Sequence, residues 1–441
     1  MKTILLFGAG KSSTVLIEYL IRQAPEHGFF FRVIDANASL AKSKLSDSSF
    51  GEALGLDITD DALRLSEVRR ADIVISLLPP QLHLLVANDC LQAKKHLLTA
   101  SYVTNELKAL DSEARSHDLL FLCEMGLDPG IDHMSAMALL DEIRAEGGIV
   151  DSFVSHCGGL VAPESDNNPW HYKISWNPRN VVTAGQAGAL YLLDGKEVNL
   201  SYEQLFAQEN TVAVSGLGSY AWYPNRDSLS YLSLYNLTSA KTFIRTTLRH
   251  PDFMKGWRKL IQLSLTKDTP IYHLPQATLG TAFEHHFTQS ALQQEVERCR
   301  EEDPLFDQQL HFLGGDKDST PLVNDPFTPA LLLQEALEKK LVLAQGDRDM
   351  IVMLHEIGYR KEGQDRKLTS QLVVTGDDSR STAMAKTVGL PLAMAVLQLL
   401  QEKIRLRGMQ IPTHPDIYTP VLQALKKEGI TFTDTDHPAM S

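Results

Sequence analysis

The chain has 441 residues, too many for one hydrophobic core, so two or three domains are expected. Its 43% hydrophobic and 22% charged content fits a soluble globular protein. A net charge of −13 leaves no basic surface of the kind that nucleic-acid phosphates require. Cys90, Cys123, Cys157 and Cys299 are scattered, with no CxxC pair, which predicts neither a disulfide framework nor a structural zinc site and suits a reducing cytoplasm. In MKTILLFGAG the apolar stretch Ile4–Phe7 is too short for a signal peptide. No run is expected to span or bind a membrane.

Residues 1–125 alternate short apolar runs with segments of helical period. Strands are predicted at Thr3–Phe7, Phe31–Ile34, Ile73–Leu77, Leu97–Ala100 and Leu119–Cys123, with helices such as Leu82–Lys94 and Asn105–Ser116 between them. That alternation predicts a doubly wound parallel sheet. After about residue 150 the runs lengthen: Ile149–Cys157, Tyr231–Leu237, Thr242–Arg249, Met350–Gly358 and Leu368–Thr375 are predicted strands of a sheet with one solvated face. Residues 251–345 are charged and helix-rich, as in LQQEVERCREED and LLLQEALEKKLVL, and LGGDKDSTPLVNDPFTP is a predicted loop. From Ser381, STAMAKTVGLPLAMAVLQLLQEKI is a long apolar helix, expected to return and cover the first sheet.

The first strand runs into FGAGKSST. Gly8 and Gly10 supply the first two positions of G-x-G-x-x-G, and Ser13 replaces the third glycine. Such a turn lets a pyrophosphate approach the amides at a helix N-terminus, so a dinucleotide site is expected there. Asp35 closes the second strand, where a carboxylate accepts from a ribose 2′-hydroxyl and repels a 2′-phosphate. NAD(H) is therefore expected to be used at least as well as NADP(H). Asp57 in GLDITD and Leu77 in SLLPP stand at strand ends where adenine-side and nicotinamide-side contacts fall. FLCEMGLDPGIDH sits on the same rim. Pro129 and Gly130 fix its turn and present Asp128, whose alternative role is to cap the helix starting near Ile131. His133 lies on a helical face and is expected to satisfy a core hydrogen bond. Glu284, His285 and His286 in FEHHF splay around a helix, so no metal is predicted.

GLDPGIDH, SHCGGLVAPESDNNPWHYKISW, YPNRDS and TTLRH, in that order, resemble saccharopine dehydrogenase of the glutamate-forming type. The resemblance implies reduction of the imine of glutamate and 2-aminoadipate 6-semialdehyde by a nicotinamide hydride, and the reverse oxidation. It implies a homodimer and three lobes: a Rossmann-type nucleotide domain at 1–130 and 386–441, a mixed-sheet α+β substrate and dimerisation domain at 131–250 and 346–385, and a helical insertion at 251–345. By the same resemblance Lys11, Ser12, Ala36, Ser101, Leu127 and Pro129 join the cofactor site, while Ser101, Asp128, Ser175, Arg226, Thr247 and Arg249 bind substrate. A ligand with three carboxylates calls for planar bidentate cations, a role assigned to Arg226 and Arg249; Arg245 and Arg179 are expected in surface ion pairs. Both assigned arginines are expected to face a cleft, opposite Asp128 and Ser101.

Proton shuttling has several candidates: Asp128, Tyr102, Cys157 and His156, with the substrate amine or a water as alternatives. Two other readings remain open: an imine reductase joining a different amino acid or polyamine to an aldehyde, and a dinucleotide-binding redox sensor without turnover.

Overall fold

The computed structural model describes residues 1–45 and 48–438. The chain divides into two compact units, one formed by residues 1–149 and 380–432, the other by 150–379 and 433–441.

The first unit is built on strands β1 (Lys2–Phe7), β2 (Phe29–Asp35), β3 (Gly51–Gly55), β4 (Ile73–Ser76), β5 (His96–Thr99) and β6 (Leu120–Leu122). Their spatial order is β3-β2-β1-β4-β5-β6, extended beyond β6 by Gly408–Gln410, and every pairing is parallel. Ile4, Leu5, Leu6 and Phe7 are wholly buried, as a strand covered on both faces requires. Each such side chain contributes about 1.5–3 kcal/mol relative to exposure. The strand order reverses between β1 and β4, which puts the ligand crevice of such a sheet at the carboxyl ends of those two strands.

The helix Ala383–Leu400 belongs to this unit. Its Gly389 runs so close to the helix Thr14–His27 that a Cβ there would lie 2.9 Å from the Leu16 nitrogen. It is long and apolar enough to cross a membrane, against the expectation of no such run, and 78% of it is buried within the protein. Sequence reading missed β3 (GEALG) and the edge strand Gly408–Gln410 (GMQ), neither of which carries an apolar run.

The second unit carries a sheet whose main path runs Thr211–Val214, Gly218–Pro224, Thr242–Arg249, Ile149–Val161, Asp349–Lys361, Gln364–Thr375, Thr433–Pro438. A hairpin, Ala189–Leu193 with Lys196–Leu200, joins its side. Thr242–Arg249 runs parallel to Ile149–Val161 and antiparallel to Gly218–Pro224. The predicted strand Tyr231–Leu237 is absent. The Tyr235 nitrogen donates to the Tyr231 carbonyl at 2.9 Å, closing a helical turn that puts both tyrosines inside, and Asn236 ends it at φ +53°. The apolar spacing of YLSLYNL is thus helical over one turn.

The unit boundaries differ from the expected lobes. Ile131–Ala145 lies with the first unit, where the Tyr418 hydroxyl donates to Asp141 Oδ2 at 2.7 Å. Thr433–Pro438 pairs with Gln364–Thr375 in the second. The helices between 251 and 345 share one hydrophobic cluster with Trp170, Tyr172 and Tyr223, so they form part of the second unit rather than a separate compact body.

Candidate functional site

At the β1 rim, Gly8 takes φ +103°, and a Cβ on it would fall 2.6 Å from the Leu77 carbonyl oxygen. The fold itself therefore demands glycine there. Gly10 has nothing within 4 Å of its Cβ direction, which leaves its backbone open to a ligand. Lys11–Ser13 form one 3-10 turn that enters the helix Thr14–His27; Ser12 is half-buried, and the buried Ser13 donates from Oγ to the Gly10 carbonyl at 2.9 Å. Asp35 accepts from the Ala9 nitrogen at 2.7 Å through one oxygen and from the Asn37 nitrogen at 2.9 Å through the other, with Ala36 exposed between. Its carboxylate thereby braces the glycine turn. Lys44, which sequence reading passed over, reaches back to donate to the Gly10 carbonyl and lies 3.3 Å from Ser13 Oγ. Burial, followed by repulsion from Arg380, pulls its ammonium down to about 8. Asp57, exposed beyond β3, accepts from the Thr59 amide and hydroxyl, which lower its carboxyl below the usual range.

Farther along the rim, His83 is held between two serines. Its Nδ1 is 2.8 Å from Ser76 Oγ at the end of β4, and its Nε2 is 2.6 Å from Ser101 Oγ just past β5. Burial pushes the imidazole down to about 4, so it is neutral near pH 7 and one serine donates while the other accepts. Sequence reading found Ser101 but not His83, which lies seven residues beyond Ser76 and reveals its role only through the β4–β5 register. Next to Ser101, the Tyr102 hydroxyl donates to Asp128 Oδ1 at 3.3 Å.

The loop that carries Asp128 closes on itself: the Gly126 nitrogen donates to the Pro129 carbonyl and the Ile131 nitrogen to the Gly126 carbonyl, each at 2.9 Å. Leu127 and Pro129 are buried, and a Cβ on Gly130 would lie 2.0 Å from the Gly126 oxygen. Asp128 does not cap the following helix. Gly130 occupies that position without a side-chain cap bond, and the Gly130 nitrogen donates instead to Asp132 Oδ1 at 2.6 Å. His133, fully buried, meets Glu124 Oε2 at 2.8 Å, while Glu124 Oε1 accepts from the Val103 nitrogen. This core pairing anchors the segment after Ser101.

In the second unit, Cys157 and Thr247 are register partners on adjacent strands, with Cys157 buried and Thr247 half-buried. Ser175 is buried. His156 bonds to Thr246 Oγ1 at 2.7 Å and Glu356 Oε2 at 3.1 Å, and it holds the Glu356 carboxyl down at about 2. Arg249 is 4% exposed. One guanidinium nitrogen donates to the Leu248 carbonyl at 2.8 Å, the faces of Tyr172 and Phe253 lie 5.5 Å from its carbon, and its Nε has no acceptor. No carboxylate comes within ion-pair distance of it among the described residues.

The other arginines part company. Arg226 is exposed, at φ +54°, so the two predicted substrate cations do not share one environment. Arg179 forms the expected surface pair, bidentate to Asp268 at 2.7 Å. Arg245 corrects expectation: it is 2% exposed and lies over the Tyr231 ring at 4.6 Å, because its strand sits inside the sheet. In FEHHF, His286 is buried against the Leu263 carbonyl and the Tyr272 hydroxyl, which leaves it no ligand role. A different trio, His171, His250 and Asp252, converges elsewhere in the unit.

Comparison with known proteins places two family matches along the chain: the saccharopine dehydrogenase NADP binding domain over residues 4–122 and the saccharopine dehydrogenase C-terminal domain over residues 126–430. The chain is 35% identical to the mitochondrial alpha-aminoadipic semialdehyde synthase of Bos taurus, with 98% of this chain and 47% of that protein covered. It thus spans about half the length of the curated relatives of that type. It is 32% identical to the saccharopine dehydrogenase [NADP(+), L-glutamate-forming] of Saccharomyces cerevisiae, covering 97% of this chain and 98% of the relative. The apo structure of the saccharopine dehydrogenase (L-Glu forming) from the same yeast superposes with a TM-score of 0.87 at 30% identity, covering 99% of this chain and 100% of that one.

Proposed function

Because the chain belongs to the saccharopine dehydrogenase family, we propose that it interconverts saccharopine with L-glutamate and 2-aminoadipate 6-semialdehyde. In the oxidative direction saccharopine, water and the oxidised nicotinamide dinucleotide give the two products, the reduced dinucleotide and a proton. The observation that carries the substrate assignment is Arg249. A buried guanidinium left without a carboxylate is costly, and an anionic ligand relieves that cost. Saccharopine brings three carboxylates, so one can meet Arg249 and another the exposed Arg226. A redox sensor without turnover has no use for such a cation.

The glycine turn fits a dinucleotide: Gly8 is fixed by the Leu77 carbonyl, Gly10 is open, and helix amides follow it. Gly8, Gly10, Lys11, Ser12 and Ser13 would hold the phosphates, and the bound nicotinamide supplies or accepts the hydride. Asp35 by itself favours NAD(H). Lys44 beside Gly10 and Ser13, with Arg380 near it, offsets that charge, and NADP(H) is the cofactor we assign. Ser101, oriented by neutral His83, and the Tyr102–Asp128 pair provide hydroxyl and carboxylate groups for the carbinolamine and iminium stages. Asp128, ionised, holds the positive charge of the iminium, while the Tyr102 hydroxyl gives its proton to the departing carbinolamine hydroxyl, which leaves as water, and the phenolate takes a proton back from the attacking water in the oxidative direction. A cytoplasmic homodimer belongs to the same reading; four buried cysteines outside any disulfide suit a reducing compartment.

The test is absorbance of the reduced dinucleotide on mixing the protein with saccharopine and either NADP⁺ or NAD⁺. We expect turnover with saccharopine, a higher kcat/KM with NADP⁺, and a further shift toward NADP⁺ in Asp35→Ala. No reduction of either cofactor by saccharopine would sink the assignment, and a strong preference for NAD⁺ would restore the ribose role of Asp35.

A further inference from the structure

The segment Asp166–Trp176 of the second unit is held in a fixed shape. The Asn168 side chain accepts from the Trp170 nitrogen at 3.0 Å and donates to the Tyr172 carbonyl at 3.0 Å, and Trp170 is wholly buried. This brings His171, at φ +48°, against the turn that leads from Thr242–Arg249 into the helix Pro251–Gln262. The His171 and His250 rings stack with centroids 3.9 Å apart. One nitrogen from each ring and one Asp252 carboxylate oxygen lie within 4.8 Å of one another, all three residues half-buried.

The hydrogen bonding assigns His171 a direction. Its Nδ1 is 2.6 Å from Asp166 Oδ2, so that nitrogen carries the proton and donates it to the carboxylate. Nε2 then holds the lone pair, and it lies 3.6 Å from Asp252 Oδ2. His250 Nδ1, which accepts from the Asp252 nitrogen at 3.2 Å, is 3.8 Å from the same oxygen. Three possible donor atoms thus cluster, His250 Nδ1 exchanging its bond from the Asp252 nitrogen for the ion, with Lys255 reaching only the other Asp252 oxygen, at 3.5 Å. Ligands of a tetrahedral zinc ion at bonds of about 2.0–2.1 Å stand roughly 3.3 Å apart, so the two N–O separations contract by about half an ångström at most and the stacked rings, 3.9 Å apart, splay to admit the ion.

We propose that His171, His250 and Asp252 form a binding site for a divalent transition ion of the zinc class, with Asp166 as the outer carboxylate that fixes the His171 tautomer. Imidazole with carboxylate is a donor set that suits zinc over magnesium or calcium. A carboxylate behind a ligating histidine is the usual support of such sites. The fourth position stays open to water or an anion. The ion would tie the Asp166–Trp176 segment to the residue directly after Arg249, and so hold that guanidinium in place.

The experiment is equilibrium dialysis of the full chain against Zn²⁺ with the bound metal measured by atomic emission, together with the visible spectrum of the Co²⁺-loaded protein. The parent and His273→Asn, an exposed histidine elsewhere, are expected to retain about one equivalent and to show the intense bands of four-coordinate cobalt. His171→Asn and Asp252→Asn are expected to lose both, with near-ultraviolet circular dichroism confirming the fold. Asp166→Asn is expected to bind about 10- to 100-fold more weakly. If His171→Asn bound as much zinc as the parent, or if the parent bound none, the site would be refuted. Metal content and the cobalt spectrum are read without turnover of saccharopine, so failure of one proposal is distinguishable from failure of the other.

Discussion

Arg64 of the first unit and Arg249 of the second are buried to the same degree, 3% and 4% exposed, yet their surroundings are opposite. Arg64 spends its guanidinium on Asp89 at 2.7 Å, the Ile58 carbonyl at 2.7 Å and Asp61 at 2.8 Å. Arg249 has two aromatic faces, one backbone carbonyl and a vacant Nε. The first arrangement is complete without any other molecule and serves the fold. The second leaves a cation partly unanswered, and the proposed substrate role rests on that incompleteness. Burial alone does not separate the two roles; the partners do.

The comparison breaks most visibly at Asp89. Asp89→Ala strands the Arg64 charge, and we expect a loss of about 3–5 kcal/mol in denaturant unfolding. Arg249→Met should do the reverse, leaving unfolding within about 1 kcal/mol of the parent while KM for saccharopine rises by roughly 2–4 kcal/mol, or about 30- to 1000-fold, with KM for the dinucleotide unchanged. Arg249→Lys should recover little, since an ammonium lacks the two-pronged geometry. A large fall in stability for Arg249→Met would erase the contrast with Arg64.

The two glycines of the turn sharpen the same distinction on a smaller scale. Gly8→Ala should lower stability, because its Cβ meets the Leu77 carbonyl. Gly10→Ala should fold as the parent and weaken only dinucleotide binding, which fluorescence titration would read.

A pH dependence is expected as well. Burial lowers His83 from its ordinary value near 6.5 to about 4, so the unfolded chain binds a proton there before the folded one. Its contribution is full above about 6.5 and is lost as pH falls toward 4. His83→Asn should flatten unfolding free energy against pH across that window. An unchanged slope would remove His83 from the account.

The parallel sheet was legible because β1, β2, β4, β5 and β6 each carry a short apolar run that ends at a glycine turn or a polar rim. β3 (GEALG) and Gly408–Gln410 (GMQ) were not, since glycine and polar residues break any apolar run there. At the site, FGAGKSST announced itself through spacing, and Asp128 through the density of turn-formers around it. Arg249 was visible only through resemblance, and its burial was not visible at all. The sequence RHPDF reads as a helix start, and nothing in it shows the rings of Tyr172 and Phe253 on either side. His83, Lys44 and the His171 trio each depend on register or loop closure that joins distant positions, which local patterns do not encode.

The first unit is interrupted by residues 150–379, and its covering helix and edge strand come only afterwards. During synthesis the helix Thr14–His27 therefore emerges long before Ala383–Leu400, the partner that shields Leu16. At about 5–20 residues per second, the intervening 230 residues (150 through 379) keep the ribosome busy for roughly 10–45 s. For that interval the nascent nucleotide unit has an uncovered apolar helix and an open sheet edge at β6, a state suited to chaperone capture. Ribosome-bound chains stalled before and after residue 410 should differ sharply in protease resistance of their first 149 residues.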